Sequence, residues 1–171
     1  MGDSVSRGYT LAVRAALAGK ANVHRAPENC GPTVNGLKKL EAWLASAGLG
    51  KWDVIHFNFG IHDRSTPLAD YTARLTPMIT RLSSTGAKLI WASTTPIPDD
   101  PAKKQTAAAI VERNTAAATL MAKYAVAIDD LFTAITPKLA TLQNPNDVHF
   151  TSAGYDFLGQ QVAASIATQL K

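Results

Sequence analysis

Residues Trp52–Asp63 read WDVIHFNFGIHD. The first eight, between Gly50 and Gly60, are rich in β-branched and aromatic residues. A run this short and apolar predicts a strand buried on both faces of a parallel sheet. The Gly-Ile-His-Asp that follows then lies beyond the carboxyl end of that strand, where open parallel sheets hold their ligands. Two further runs have the same character. Lys88–Thr95 (KLIWASTT) follows Gly86 and stops at Pro96, and Ala125–Ile128 (AVAI) precedes Asp129-Asp130. Ala21–Ala26 is a fourth, weaker strand candidate.

Helical periodicity fills the gaps. Leu37, Leu40 and Leu44 recur at spacings of three and four, with Gly48 ending the run. Thr66-Pro67 reads as the cap and first-turn proline of a helix that buries Leu68, Tyr71, Leu75, Met78 and Leu82. Lys103–Tyr124 is Ala-rich and strongly helical by propensity. A last helix starts near Ser152, with Tyr155, Leu158, Val162 and Ile166 on one face. Alternating strands and helices imply an α/β sandwich with right-handed crossovers.

The chain has 171 residues, 46% hydrophobic and 18% charged. This composition excludes wholesale disorder and fits a single domain over residues 1–171. There are no internal repeats or linkers. No apolar run approaches the ~20 residues of a membrane span. The single cysteine, Cys30, excludes an intrachain disulfide and a cysteine zinc cluster. The net charge is +4 (17 Lys and Arg against 13 Asp and Glu). The bases Arg7, Arg14, Lys38, Lys39, Lys103 and Lys104 are scattered, which reads as solvated surface and not as a nucleic-acid footprint.

Four stretches carry candidate chemistry: Gly2-Asp3-Ser4, Asn29–Thr33, Asn58–Asp63 and Asn146–Phe150. A serine at a turn into a helix has an orphan N–H beside its hydroxyl, so it can serve as nucleophile and oxyanion donor. It can equally be a helix cap. A serine hydroxyl needs an imidazole to take its proton, and the imidazole needs an acceptor to hold its tautomer. Asp147 and His149 in one loop supply those types. The same loop can also be a plain lead into a helix capped by Thr151 or Ser152.

Taken together, Gly2-Asp3-Ser4, Gly31-Pro32-Thr33, Gly60-Ile61-His62-Asp63 and DVHFTSAGY resemble the SGNH/GDSL family of serine esterases in order and spacing, over Gly2 to about Gln161. The resemblance implies a three-layer α/β/α sandwich with a flavodoxin-like parallel sheet. It also implies Ser4 as nucleophile, with its N–H as the first oxyanion donor, Gly31 N–H as the second, and His149 as base. The sequence departs from the family twice. His62 stands where an asparagine usually donates to the oxyanion; its imidazole N–H can donate instead, with Asn58 as an alternative. The family's acid lies three residues before the histidine, which is Asn146 here, so Asp147 is one residue late. Asp147 is the expected acid; Asn146, a backbone carbonyl or a Ser–His dyad are the alternatives.

The remaining candidates read as structural. His24 and His56 are core or surface histidines, Asp129-Asp130 a helix cap, and Trp43, Trp52 and Trp91 core anchors. No metal-binding spacing and no cofactor motif is present. The expected activity is metal-independent hydrolysis of a short acyl ester on a carbohydrate or another small polar alcohol. A non-catalytic ester- or carbohydrate-binding domain is the rival, and a nucleotide-binding protein of flavodoxin type the third reading. In the resembling family an apolar central strand precedes the Gly-Asp-Ser turn. Only Met1 precedes it here, so the expectation is an N-terminally shortened chain that lacks that strand and hides any signal peptide.

Overall fold

The computed structural model describes residues 1–46, 48, 50–103 and 105–170; Lys104 lies outside the described residues. The elements are α1 (Ser4–Ala16), α2 (Thr33–Ala45), β1 (Val54–Phe57), α3 (Leu68–Ser83), β2 (Lys88–Ala92), α4 (Ala107–Lys123), β3 (Ala127–Asp129), α5 (Leu131–Ile135), α6 (Leu139–Leu142) and α7 (Ser152–Gln169). The strands form a parallel sheet in the order β1-β2-β3, with Phe57 opposite Trp91 and Ile90 opposite Ala127.

Helices cover both faces of the sheet, giving the three layers. Alternation on β2 sends Leu89 and Trp91 into one core, with Trp43, Phe57, Tyr71 and Met78. It sends Ala92 into the other, with Val5, Tyr9, Leu131 and Val162. The second core depends on a close crossing of α1 and α7. Gly8 lies against the Tyr155 ring, where a Cβ would come within 2.0 Å, and a Cβ on Gly159 would come within 2.4 Å of the Ala12 Cβ. That crossing brings the start of α1 to the loop before α7, and so Ser4 to His149.

Several element boundaries differ from the sequence reading. Residues Ala21–Ala26 form no strand. Instead of a neighbouring strand they face a cavity of about 520 Å³, whose far wall includes Val54, Ile55 and His56 of β1. Tyr9, Trp43 and Val162 also line it. An extended segment with no strand within ladder distance stays irregular. Met1 occupies the top of this slot: its amino group donates to His56 O (2.7 Å), and Asn58 N–H donates to Met1 O (3.2 Å). These two bonds follow the pattern of a parallel ladder.

Other shifts are local. Pro67, not Thr66, is the N-cap of α3, and Leu68 is exposed. Helix α4 begins at Ala107, after Thr106 caps it by accepting from Ala109 N–H. Strand β3 starts two residues late, because Ala125 takes a left-handed conformation (φ 52°) and Val126 N–H still closes back on Met121 O. Asp130 caps α5 and Thr151 caps α7, as their positions suggest. Among the described residues no helix is long and apolar enough to cross a membrane.

Candidate active site

Ser4 is the first residue of α1. Asp3 caps that helix, its Oδ1 accepting from Val5 N–H (2.9 Å) and Ser6 N–H (3.2 Å). The Ser4 N–H has no partner among the described residues, as expected of an orphan donor at a helix start. Asp3 is buried, and burial pushes its carboxyl above the ordinary value against the N–H donors of Ser6 and Val5 and the charges of His62 and His149.

The loop before α7 is folded back on itself. Asn144 N–H donates to His149 O (3.0 Å), Asp147 N–H donates to Asn144 O (3.2 Å), and Gln143 bridges Phe150. Asn146 sits inside this turn with φ 53°, a conformation that asparagine tolerates better than most residues. The turn swings Asp147 toward the histidine, and its Oδ1 lies 2.8 Å from His149 Nδ1. On the other side of the ring, His149 Nε2 lies 2.8 Å from Ser4 Oγ.

The protonation pattern follows from the acid. Partial desolvation pushes the Asp147 carboxyl up, but hydrogen bonds from the His149 ring and main chain outweigh it and hold its pKa below the ordinary carboxylate value. An ionised carboxylate only accepts, so Nδ1 carries the proton. In a neutral ring Nε2 is then an acceptor, and the Ser4 hydroxyl donates to it. Asp147 and His149 are both substantially exposed, with side chains 45% and 38% accessible.

Gly31 has φ 63°, and its N–H donates to Asn29 Oδ1 (2.9 Å). That N–H reaches another oxygen only by releasing or sharing this acceptor. His62 is exposed on a 3-10 turn, Ile61–Asp63. Asn58 is committed elsewhere. Its Nδ2 donates to Ala92 O (2.8 Å) and Thr94 Oγ1 (3.1 Å), so both amide hydrogens staple β1 to the end of β2. Like Gly31 N–H, the Asn58 amide reaches another oxygen only by releasing or sharing one of these acceptors.

Two pairings carry no local sequence signal. His56 Nε2 meets Asp129 Oδ2 at 3.0 Å in the layer beneath α1. Asp63 is fully buried, with Oδ2 accepting from Thr33 N–H (2.8 Å) and Oδ1 from Thr33 Oγ1 (2.7 Å). The partners are 73 and 30 residues apart, beyond any local spacing signal. Cys30 is buried beside Gly31, and its Sγ accepts from Gly2 N–H (3.2 Å). Among the described residues, no three His, Cys, Asp or Glu side chains converge as a metal site.

The sequence matches the model of the GDSL-like Lipase/Acylhydrolase family over residues 1–157. No curated protein matches it. Among solved structures, a lipase/acylhydrolase from Enterococcus faecalis superposes with a TM-score of 0.78 at 23% identity, covering 99% of this chain and 94% of that one. A member of the lipolytic G-D-S-L family from Veillonella parvula gives 0.74 at 18% identity, covering 95% and 93%. Axe2, an acetylxylan esterase from Geobacillus stearothermophilus, gives 0.75 at 15% identity, covering 99% and 91%. At these identities the likeness is one of fold.

Proposed function

The chain belongs to the GDSL-like lipase/acylhydrolase family, and from that premise we propose that it is a serine esterase that removes a short acyl group from a carbohydrate or another small polar alcohol. The observation that carries this reading is the unbroken chain Ser4 Oγ–His149 Nε2 and His149 Nδ1–Asp147 Oδ1, with both contacts at 2.8 Å. It lies at the start of α1 and in the loop before α7, at the carboxyl end of a parallel sheet, where such folds bind ligands.

In the proposed mechanism Ser4 Oγ attacks the ester carbonyl carbon as its proton passes to His149 Nε2. Asp147 steadies the imidazolium from the far side. The carbonyl oxygen becomes an oxyanion and accepts from Ser4 N–H, from Gly31 N–H once Asn29 yields it, and from the His62 ring. Each such donor is worth about 3–4 kcal/mol where it has been measured by deletion. The C–O bond to the alcohol then breaks, and the alcohol leaves with the proton from His149. Water, deprotonated by the same Nε2, attacks the acyl-Ser4 carbonyl. The carboxylic acid leaves and Ser4 Oγ recovers its proton.

The preference for a short acyl group is supported by the exposure of the site. The cavity of about 520 Å³ beneath α1 at the sheet edge is lined by apolar Val13, Trp52 and Ile166 and by polar Lys20, Arg25 and Asp53, and it does not reach Ser4, Asp147 or His149. A panel of p-nitrophenyl esters of increasing acyl length, together with acetylated xylo-oligosaccharides, tests the reading. Highest kcat/KM on acetyl esters, abolished in Ser4→Ala, is the expected result. Equal or better turnover of long-chain esters would overturn the short-acyl preference, and full activity in Ser4→Ala the mechanism.

A further inference from the structure

Two of the candidate oxyanion donors sit on separate segments. Gly31 precedes α2, and His62 lies on the turn after β1. Between them stands a buried carboxylate that the proposed chemistry does not use. Asp63 follows His62 directly, and its two oxygens hold the main-chain N–H and the hydroxyl of Thr33, two residues after Gly31. Thr66 Oγ1 also reaches Asp63 Oδ1 (3.4 Å). The turn is gripped from behind by Arg113, itself buried, which donates through Nε to Asp63 O (2.6 Å) and through Nη2 to Thr66 O.

We propose that Asp63 is the positioning residue of the oxyanion pocket: it ties the Gly31 loop to the His62 turn and so sets the separation of their donors. This inference rests on the esterase reading above. The reason lies in what a simpler arrangement would provide. The N-cap of α2 is Pro32, which makes no side-chain cap bond. A Ser or Asp there would satisfy the helix start locally and leave no carboxylate to bury. Here the cap comes instead from a residue 30 positions away. A local cap stabilises α2 alone, whereas this one also fixes where α2 begins relative to the turn. Charge-assisted bonds from two donors of one residue make a stiff tether. Oxyanion donors need that stiffness, since errors of about 1 Å cost on the order of 100-fold in rate.

The test compares Asp63→Ala, Asp63→Asn and Thr33→Ala with the parent on p-nitrophenyl acetate. Active sites are titrated with a fluorophosphonate so that kcat refers to folded enzyme. An alkylboronic acid, which forms a tetrahedral adduct on serine, reports the oxyanion pocket directly. Asp63→Ala is expected to lower kcat by roughly 30- to 100-fold with KM within about threefold, and to weaken boronic acid inhibition by the same factor. Asp63→Asn should recover most of both, because its amide oxygen can keep the Thr33 N–H while the hydroxyl turns to accept from its NH₂. Thr33→Ala, which keeps the main-chain bond, should show a smaller loss in the same two quantities and decides the matter if Asp63→Ala does not fold. Unchanged kcat in folded Asp63→Ala, or in Thr33→Ala should Asp63→Ala not fold, would overturn the positioning role, as would a rise in KM without a fall in kcat. Loss of activity in Ser4→Ala alongside such a result leaves the esterase reading standing, whereas a parent that hydrolyses no ester overturns both.

Discussion

Replacing Asp147 by asparagine removes a charge and little else. The amide is nearly isosteric, and its oxygen can still accept from His149 Nδ1–H, so the ring keeps its tautomer. What is lost is attraction between a carboxylate and the imidazolium formed as Ser4 attacks. Unit charges about 4 Å apart attract by about 1 kcal/mol in bulk water and about 4 kcal/mol at the effective dielectric near a protein surface. With Oδ1 2.8 Å from Nδ1 and the two side chains 45% and 38% accessible, solvent screening places this pair between those limits. A loss of about 2 kcal/mol corresponds to roughly 30-fold in kcat. That is far below the ~10⁴-fold seen where a triad carboxylate is sealed from water and its substitution traps the wrong tautomer. Steady-state hydrolysis of p-nitrophenyl acetate by Asp147→Asn and Asn146→Ala measures it. A loss under threefold in Asp147→Asn would refute the assignment of the acid, whereas any loss in Asn146→Ala is expected to act through the left-handed turn that carries Asp147. A loss beyond 10³-fold would refute the screening argument.

Asp3→Ala should cost about 1–2 kcal/mol by urea denaturation, because two helix-start N–H groups lose their acceptor. Asp3→Asn keeps that acceptor and removes a carboxyl whose pKa burial has raised. The parent's Asp3 favours folding most below the ordinary carboxylate value and loses that contribution as pH rises through its folded pKa, so Asp3→Asn should gain on the parent as pH rises through that window. The depressed Asp147 works the other way: its stabilising contribution is complete above the ordinary carboxylate value and is lost as pH falls through its folded pKa. Denaturation midpoints of Asp147→Asn and parent should therefore converge in acid. Gly159→Ala should lower stability by about 1–3 kcal/mol, since its Cβ meets Ala12 at 2.4 Å, and should cut kcat as α1 and α7 move apart. Four apolar residues added before Met1 should continue its two ladder bonds along β1, fill the 520 Å³ slot and raise the melting temperature. An unchanged melting temperature would show that the slot does not accept a strand.

The elements legible in the sequence were those whose periodicity is purely local. WDVIHFNF and KLIWASTT needed no partner to be recognised, and Thr151 ahead of α7 announces its own cap. Ala21–Ala26 has strand-like residues but forms no strand, because a strand is a relation between segments and nothing in its own residues shows that it faces a cavity. The site divides along the same line. Ser4 and His149 sit in recognisable blocks, and they come within hydrogen-bond reach through the glycine-lined crossing of α1 and α7. That Asp147 reaches the ring despite its shifted position depends on the left-handed turn at Asn146, which spacing alone leaves undecided. The Asn58 amide bonds Ala92 and Thr94, 34 and 36 residues away, and the Asp63–Thr33 tether crosses 30 residues. Such long-range pairings are set by packing, so no local pattern carries them.

The central claim is that Ser4 is a nucleophile activated by His149. Its most direct test is exposure of the parent, Ser4→Ala and His149→Ala to a fluorophosphonate probe, followed by intact mass and peptide mapping. The account predicts one adduct on the parent, located on Ser4, none on Ser4→Ala, and labelling of His149→Ala slowed by orders of magnitude. An unlabelled, folded parent, or an adduct on any residue other than Ser4, would contradict it.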